Sequence, residues 1–148
     1  MFIILLFVGA SVIAAQETRA QRQRLAQTAK AVAVAYKMRD LGRLDRLGLI
    51  RGTVKIVIEH SIPQEESEQF VVRRFSSFYR AERWLANRHP QPGLPFRAVQ
   101  SFAGCRKGRC AFDEDGGILH NQLYLKSILY GYQKGRPFIK ELYFYDGD

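Results

Sequence analysis

The sequence predicts an α+β domain, a small antiparallel sheet with packed helices, preceded by an N-terminal membrane helix and a long amphipathic basic helix. Three observations carry that prediction. Val54, Ile56 and Ile58 alternate with Lys55, Val57 and Glu59, and a second apolar, β-branched run returns at Phe70–Phe75 across an acidic turn. The spacing then becomes helical at Phe78, Ala81, Trp84 and Leu85. Ahead of both, an unbroken apolar run gives way to an Ala-, Arg-, Gln- and Leu-rich stretch without proline. The expected division is a hydrophobic anchor over 1–15, a basic helix or stalk over 16–48 and the α+β domain over 49–148.

Taken in order, Met1–Ala15 would reach about 22 Å as a helix, short of the roughly 30 Å hydrocarbon core. Its Ala-rich end suits a cleaved signal segment. Against cleavage, no Lys or Arg precedes the run, and Arg19, Arg22 and Arg24 follow it. Positive charge on that flank predicts a short membrane anchor with the N-terminus outside and the domain on the cytoplasmic side.

Residues 17–47 read as one helix. Leu25, Ala29, Val32 and Tyr36 form one apolar stripe, while Arg22, Arg24, Lys30 and Lys37 occupy other faces. Such a helix either lies on an anionic membrane surface or packs on a protein partner as a stalk. Gly42 and Gly48 weaken it before the domain begins.

Within the domain, Thr53–Ile62 and Gln69–Phe75 make a hairpin about Pro63–Glu68. Ser77–Arg88 is a helix with Phe78, Ala81 and Leu85 toward the core, and Pro90–Pro95 is a loop. Asp113–Gly117 suits a loop and helix start. Leu125, Ile128, Leu129 and Tyr132 follow helical spacing, ended by Gln133–Pro137. A terminal β-hairpin of Leu123–Tyr132 with Phe138–Tyr145 is the alternative, since its aromatic and β-branched residues also suit strands.

The net charge of +9 is unevenly placed: nine Lys/Arg against three Asp/Glu over 16–51, and 14 against 11 over 52–148. The excess follows the apolar run, so it speaks for a membrane surface before nucleic acid, for which there is no stacking platform or groove-reading helix. Cys105 and Cys110 flank Arg106-Lys107-Gly108-Arg109; they are one bridge across a hairpin tip in an oxidising compartment or two free thiols in a reducing one. With His89 and His120 they lack zinc spacing, and Asp113–Gly116 lacks the spacing of a calcium loop. No phosphate loop, nucleophile elbow or paired-His motif is present, so no catalysis, metal or cofactor is expected.

A strand, a turn, a second strand ending in Arg73-Arg74-Phe75-Ser76-Ser77-Phe78, a helix through Trp84 and Leu85, and Pro90-Gln91-Pro92-Gly93-Leu94-Pro95-Phe96-Arg97 together resemble the phox-homology (PX) domain over roughly residues 50–145. That family recruits proteins to membranes by binding phosphoinositides. The resemblance implies that Arg74 binds a headgroup phosphate, that Phe75 stacks on the inositol ring, and that Arg97 adds a phosphate contact. It also implies membrane insertion of Leu94 and Phe96, and helices in the C-terminal part. Departures are Phe75 where tyrosine is usual, Ser77 where an acidic residue is usual, and only Gly117, Leu119 and His120 near a further family arginine; the loop 104–110 has no counterpart. The expected function is a membrane-anchored adaptor that recognises an anionic phosphoinositide headgroup. The alternative is an accessory subunit of a membrane protein complex, with the domain and the 16–48 helix binding protein.

Overall fold

Thr18 starts the first helix with a reciprocal cap: the Gln21 N–H donates to its hydroxyl (3.1 Å) and its own N–H donates to the Gln21 side chain (2.8 Å). The computed structural model describes residues 18–62, 67–88, 101–113 and 122–147. Helix α1 runs Arg19–Lys37 and ends where Arg39 adopts a left-handed φ of 54°. A 3-10 helix, Leu41–Leu47, follows and closes on Gly48 at φ 64°. The single helix predicted over 17–47 is therefore two, broken at Met38–Asp40 rather than merely weakened at its glycines.

The stripe Leu25, Ala29, Val32 and Tyr36 is fully buried, as is Ala35. It packs in the same core as the sheet, so α1 is a layer of the domain and not a separate stalk. Burial of each such large apolar side chain is worth roughly 1.5–3 kcal/mol. The Tyr36 phenol donates to the Leu123 carbonyl, and its ring lies 5.3 Å from that of Phe144. Burial pushes its pKa well up, which keeps the hydroxyl a donor.

The strands are β1 Val54–Ile62, β2 Ser67–Phe75, β3 Ser101–Arg106, β4 Arg109–Asp113, β5 Gln122–Gln133 and β6 Arg136–Gly147, with helix α2, Phe78–Arg88, between β2 and β3. They form one sheet in the order β2-β1-β6-β5-β4-β3. All neighbours are antiparallel except β1 and β6, which are parallel, so the sheet is mixed and larger than expected. Val54, Ile56 and Ile58 face α1 together with Leu125, Ile128, Leu142 and Phe144. Phe78, Ala81 and Leu85 are fully buried, as their spacing predicts.

The C-terminal helices expected from the resemblance are replaced by the alternative hairpin. β5 turns into β6 through Lys134 and Gly135, both at positive φ (50° and 73°), the twist-matched two-residue turn. Bulges between Leu125 and Ser127 and between Leu129 and Tyr130 shift its register. Among the described residues no helix is long and apolar enough to cross a membrane. The expected anchor over 1–15 lies outside those residues.

Candidate anion-binding site

One face of the sheet is covered by α1; the other carries a cluster of cations at the end where β1 begins and β2 finishes. Alternation along the hairpin decides which side chains reach it. Lys55 is directly opposite Arg74 in the β1–β2 register, and both point away from the core that Val54 and Ile56 enter. Arg51 and Thr53 come from the segment leading into β1, and Lys140 comes from β6. These five line a cleft of about 340 Å³ whose apolar part is Leu129 and Phe138. Gly131 leaves room for it: a Cβ there would meet Phe138 at 2.5 Å and Lys140 at 2.6 Å.

The cleft holds four cations and one carboxylate, Glu141, which is already shared. Lys55 Nζ lies 2.8 Å from Glu141 Oε2, and Arg109 Nη2 lies 3.3 Å from Oε1. Arg109 also donates to the Ser127 hydroxyl at 2.8 Å. Glu141 is 6% exposed, so its charge is spent on those two partners and not on the rest of the cleft. Arg51, Arg74 and Lys140 are exposed and make no ion pair among the described residues. Two guanidiniums and an ammonium thus converge on open space. That set can hold a phosphate or another oxyanion, the arginines by forked contacts and the lysine as a point charge.

The Arg74–Phe75 pair implied by the resemblance is divided. Consecutive strand residues point to opposite faces, so Phe75 goes to the α2 side with Arg73. There its ring lies 5.4 Å from Trp84, and the Arg73 guanidinium sits 5.6 Å above the same indole. Phe75 therefore cannot stack on a ligand held by Arg74 on the open face. Arg97 and the loop residues Leu94 and Phe96 lie outside the described residues. Cys105 and Cys110 are joined in a disulfide, directly opposite one another in the β3–β4 hairpin.

Arg51, Lys55 and Lys140 escaped the sequence reading. Lys55 was only partly within reach: a hairpin turning over Pro63–Glu68 would set it opposite Ser76, two residues from its observed partner Arg74. Lys140 was not, since its placement depends on β6 pairing with β1 across some 80 intervening residues.

Beside this cluster, Glu59 accepts from the Tyr143 hydroxyl at 2.6 Å and from Lys126 at 3.4 Å. Lys126 also lies 5.7 Å from the rings of Tyr143 and Tyr145. That group is satisfied internally; toward the far end of β1, His60 Nδ1 lies 2.9 Å from the Asp146 carboxylate, while its buried Nε2 has no hydrogen-bond partner among the described residues. Among the described residues no three His, Cys, Asp or Glu side chains gather as metal ligands. No family model, curated protein or solved structure matches the chain.

Proposed function

We propose that this chain is a membrane-associated recognition protein whose domain binds the phosphate of an anionic lipid headgroup in the cleft of Arg51, Arg74 and Lys140. The observation that carries this reading is the imbalance of the cleft: four cations face one carboxylate, and that carboxylate is held by Lys55 and Arg109. The apolar run at 1–15 and the basic residues after it support presentation of the domain at a membrane surface. Phosphoinositides are the headgroup class that the sequence resemblance implies. The cleft offers donors and positive charge without a free general base, which favours binding over catalysis.

The test uses the whole chain beside its Arg74→Ala variant, titrated with soluble inositol phosphates and with vesicles that differ only in headgroup, at physiological salt. Selective binding that Arg74→Ala removes, with the fold intact, supports the reading. Binding that follows total negative charge alone, or is undiminished in Arg74→Ala, sinks it.

One observation favours the second reading, an accessory subunit that contacts protein. The edge strand β2 leaves Phe70 and Val72 each 53% exposed on the open face. A stoichiometric partner whose retention depends on Phe70 and Val72 but not on Arg74 would favour it.

The Cys105–Cys110 disulfide supports an oxidising compartment for the domain, whereas the arginine flank supports the cytoplasmic side. Thiol alkylation of the native protein before and after reduction decides between them.

A further inference from the structure

We infer that a second anion site, sharing Arg51 with the first, lies around the same end of the sheet on the α1 side, built by Arg24, Arg51 and Arg136. These residues come from three separate stretches: Arg24 from α1, Arg51 from the link between the 3-10 helix and β1, and Arg136 from the residue after the Lys134–Gly135 turn. They line one cleft of about 430 Å³ that has no Asp or Glu in its wall.

The fold holds them there by backbone contacts that do not involve their charges. The Ile139 N–H donates to the Leu49 carbonyl at 2.7 Å, which ties the segment carrying Arg51 to β6 and so to Arg136. Arg24 lies one turn before Thr28, whose hydroxyl donates back to the Arg24 carbonyl at 2.8 Å. None of the three guanidiniums has an ion pair or a side-chain hydrogen bond among the described residues.

Three other arginines are answered. Arg109 meets Glu141 and Ser127, Arg73 lies over Trp84, and Arg83 lies 5.9 Å from the ring of Tyr79. In the second cleft nothing among the described residues answers three like charges, and an oxyanion is the group that would. Planar guanidiniums arranged about one opening favour a phosphate, which accepts several forked contacts at once. Arg24 and Arg136 line only this cleft, Arg74 and Lys140 only the first, and Arg51 lines both. A ligand with two phosphate groups would meet both clefts, with Arg51 between them.

The experiment titrates the whole chain with inorganic pyrophosphate and, in a separate arm, with vesicles containing phosphatidic acid. The variants are Arg24→Gln with Arg136→Gln, Arg74→Gln, Arg51→Gln, and the exposed Arg22→Gln as a charge control. All alter exposed side chains, and circular dichroism confirms the fold. The expected result is at least a tenfold loss of pyrophosphate affinity in the Arg24/Arg136 double variant, little change in Arg22→Gln, and residual binding in Arg74→Gln. A loss in the pyrophosphate arm identifies a site for free phosphate groups; a loss confined to the vesicle arm identifies a site for lipid-borne phosphate. Both outcomes support the second site. An Arg24/Arg136 double variant no weaker than Arg22→Gln overturns it, whatever Arg74→Gln does. Weakening by Arg74→Gln alone would leave the first cleft standing and remove the second.

Discussion

Asp45 and Glu82 cap each other's helices. Asp45, on the 3-10 helix, accepts the first two N–H groups of α2: Phe78 N–H at 2.8 Å and Tyr79 N–H at 3.1 Å. Glu82, one turn into α2, accepts the Gly42 N–H at 3.3 Å near the start of the 3-10 helix. Each carboxylate thus sits where orphan donors and the positive end of a helix converge. The Ser77 hydroxyl accepts the next N–H of α2, from Arg80, at 3.2 Å. This exchange fixes the corner of the domain where Phe78, Ala81 and Leu44 are buried.

Asp45→Ala should therefore destabilise the domain by about 1–2 kcal/mol, the range of a lost N-cap, since two N–H groups lose their acceptor. Asp45→Asn should recover most of it, because one side-chain oxygen remains. Chemical denaturation of the three proteins checks this; equal midpoints would show that the cap is unimportant.

Glu82 carries a pH dependence. Burial raises its pKa above the ordinary value of 4.5, against the lowering effect of the Gly42 and Leu41 N–H groups. A carboxyl whose folded pKa is raised contributes stability below its unfolded pKa and loses it as pH rises through the folded one. Glu82→Gln keeps an acceptor for Gly42 and removes the titration. The variant should show a flatter dependence of melting temperature on pH from about 4.5 upward, and no loss of stability near neutrality. A variant that melts well below the parent at neutral pH would show that the charge itself is needed.

The N-terminal hairpin, α2 and the α1 stripe were legible because each keeps one unbroken period. β5 does not. The bulge at Lys126 sets Leu125 and Ile128, three residues apart, on the same buried face, and Ile139 and Leu142 repeat that spacing on β6. A strand with a bulge therefore shows the i, i+3 pattern of a helix, and Gly135 reads as a helix stop. The surer signal was local: Lys-Gly between two aromatic-rich runs, which occurs again at Lys107–Gly108 with φ 51° and 73°. Of the site, alternation separates Arg74 from Phe75 in the sequence itself. The shared role of Arg51 depends on tertiary pairing that no local pattern encodes.

The Lys134–Gly135 turn gives a direct check. Gly135→Val should cost about 1–2 kcal/mol, the cost of a left-handed conformation for a residue with a Cβ, because its surroundings leave open space and only φ is at issue. Lys134→Asn should raise stability slightly, since Asn-Gly is the favoured pair for this turn. Thermal melts of both variants test the assignment; a neutral Gly135→Val would argue against the turn.

Arg74 and Phe75 should separate completely in function. Arg74 is exposed on the open face, so Arg74→Ala should leave the melting temperature nearly unchanged and weaken phosphate binding at least tenfold. Phe75 is half-buried against Trp84, so Phe75→Ala should destabilise by less than the roughly 3–5 kcal/mol of a fully buried ring, with affinity unchanged. If Phe75→Ala instead lost binding at full stability, the ring would have to reach the ligand and the division across the sheet would be wrong.

The disulfide closes a short loop on the outer hairpin, and its removal should act locally. Cys110 is fully buried, while β4 is also held by β5 through Arg109–Ala111. β3 is the last strand of the sheet and also packs on α1, so the bridge, the β3–β4 ladder and that helix together restrain it. Constraining the unfolded chain over so few residues contributes about 2 kcal/mol. Reduction, or Cys105→Ala with Cys110→Ala, should lower stability by about that amount. It should speed amide exchange in β3 by more than tenfold while β1 and β6 keep their protection, because β4 and β5 lie between that parallel pair and β3. Exchange measured residue by residue decides the matter. Uniform acceleration across all six strands would mean that the hairpin is integral to the core rather than fastened to its edge.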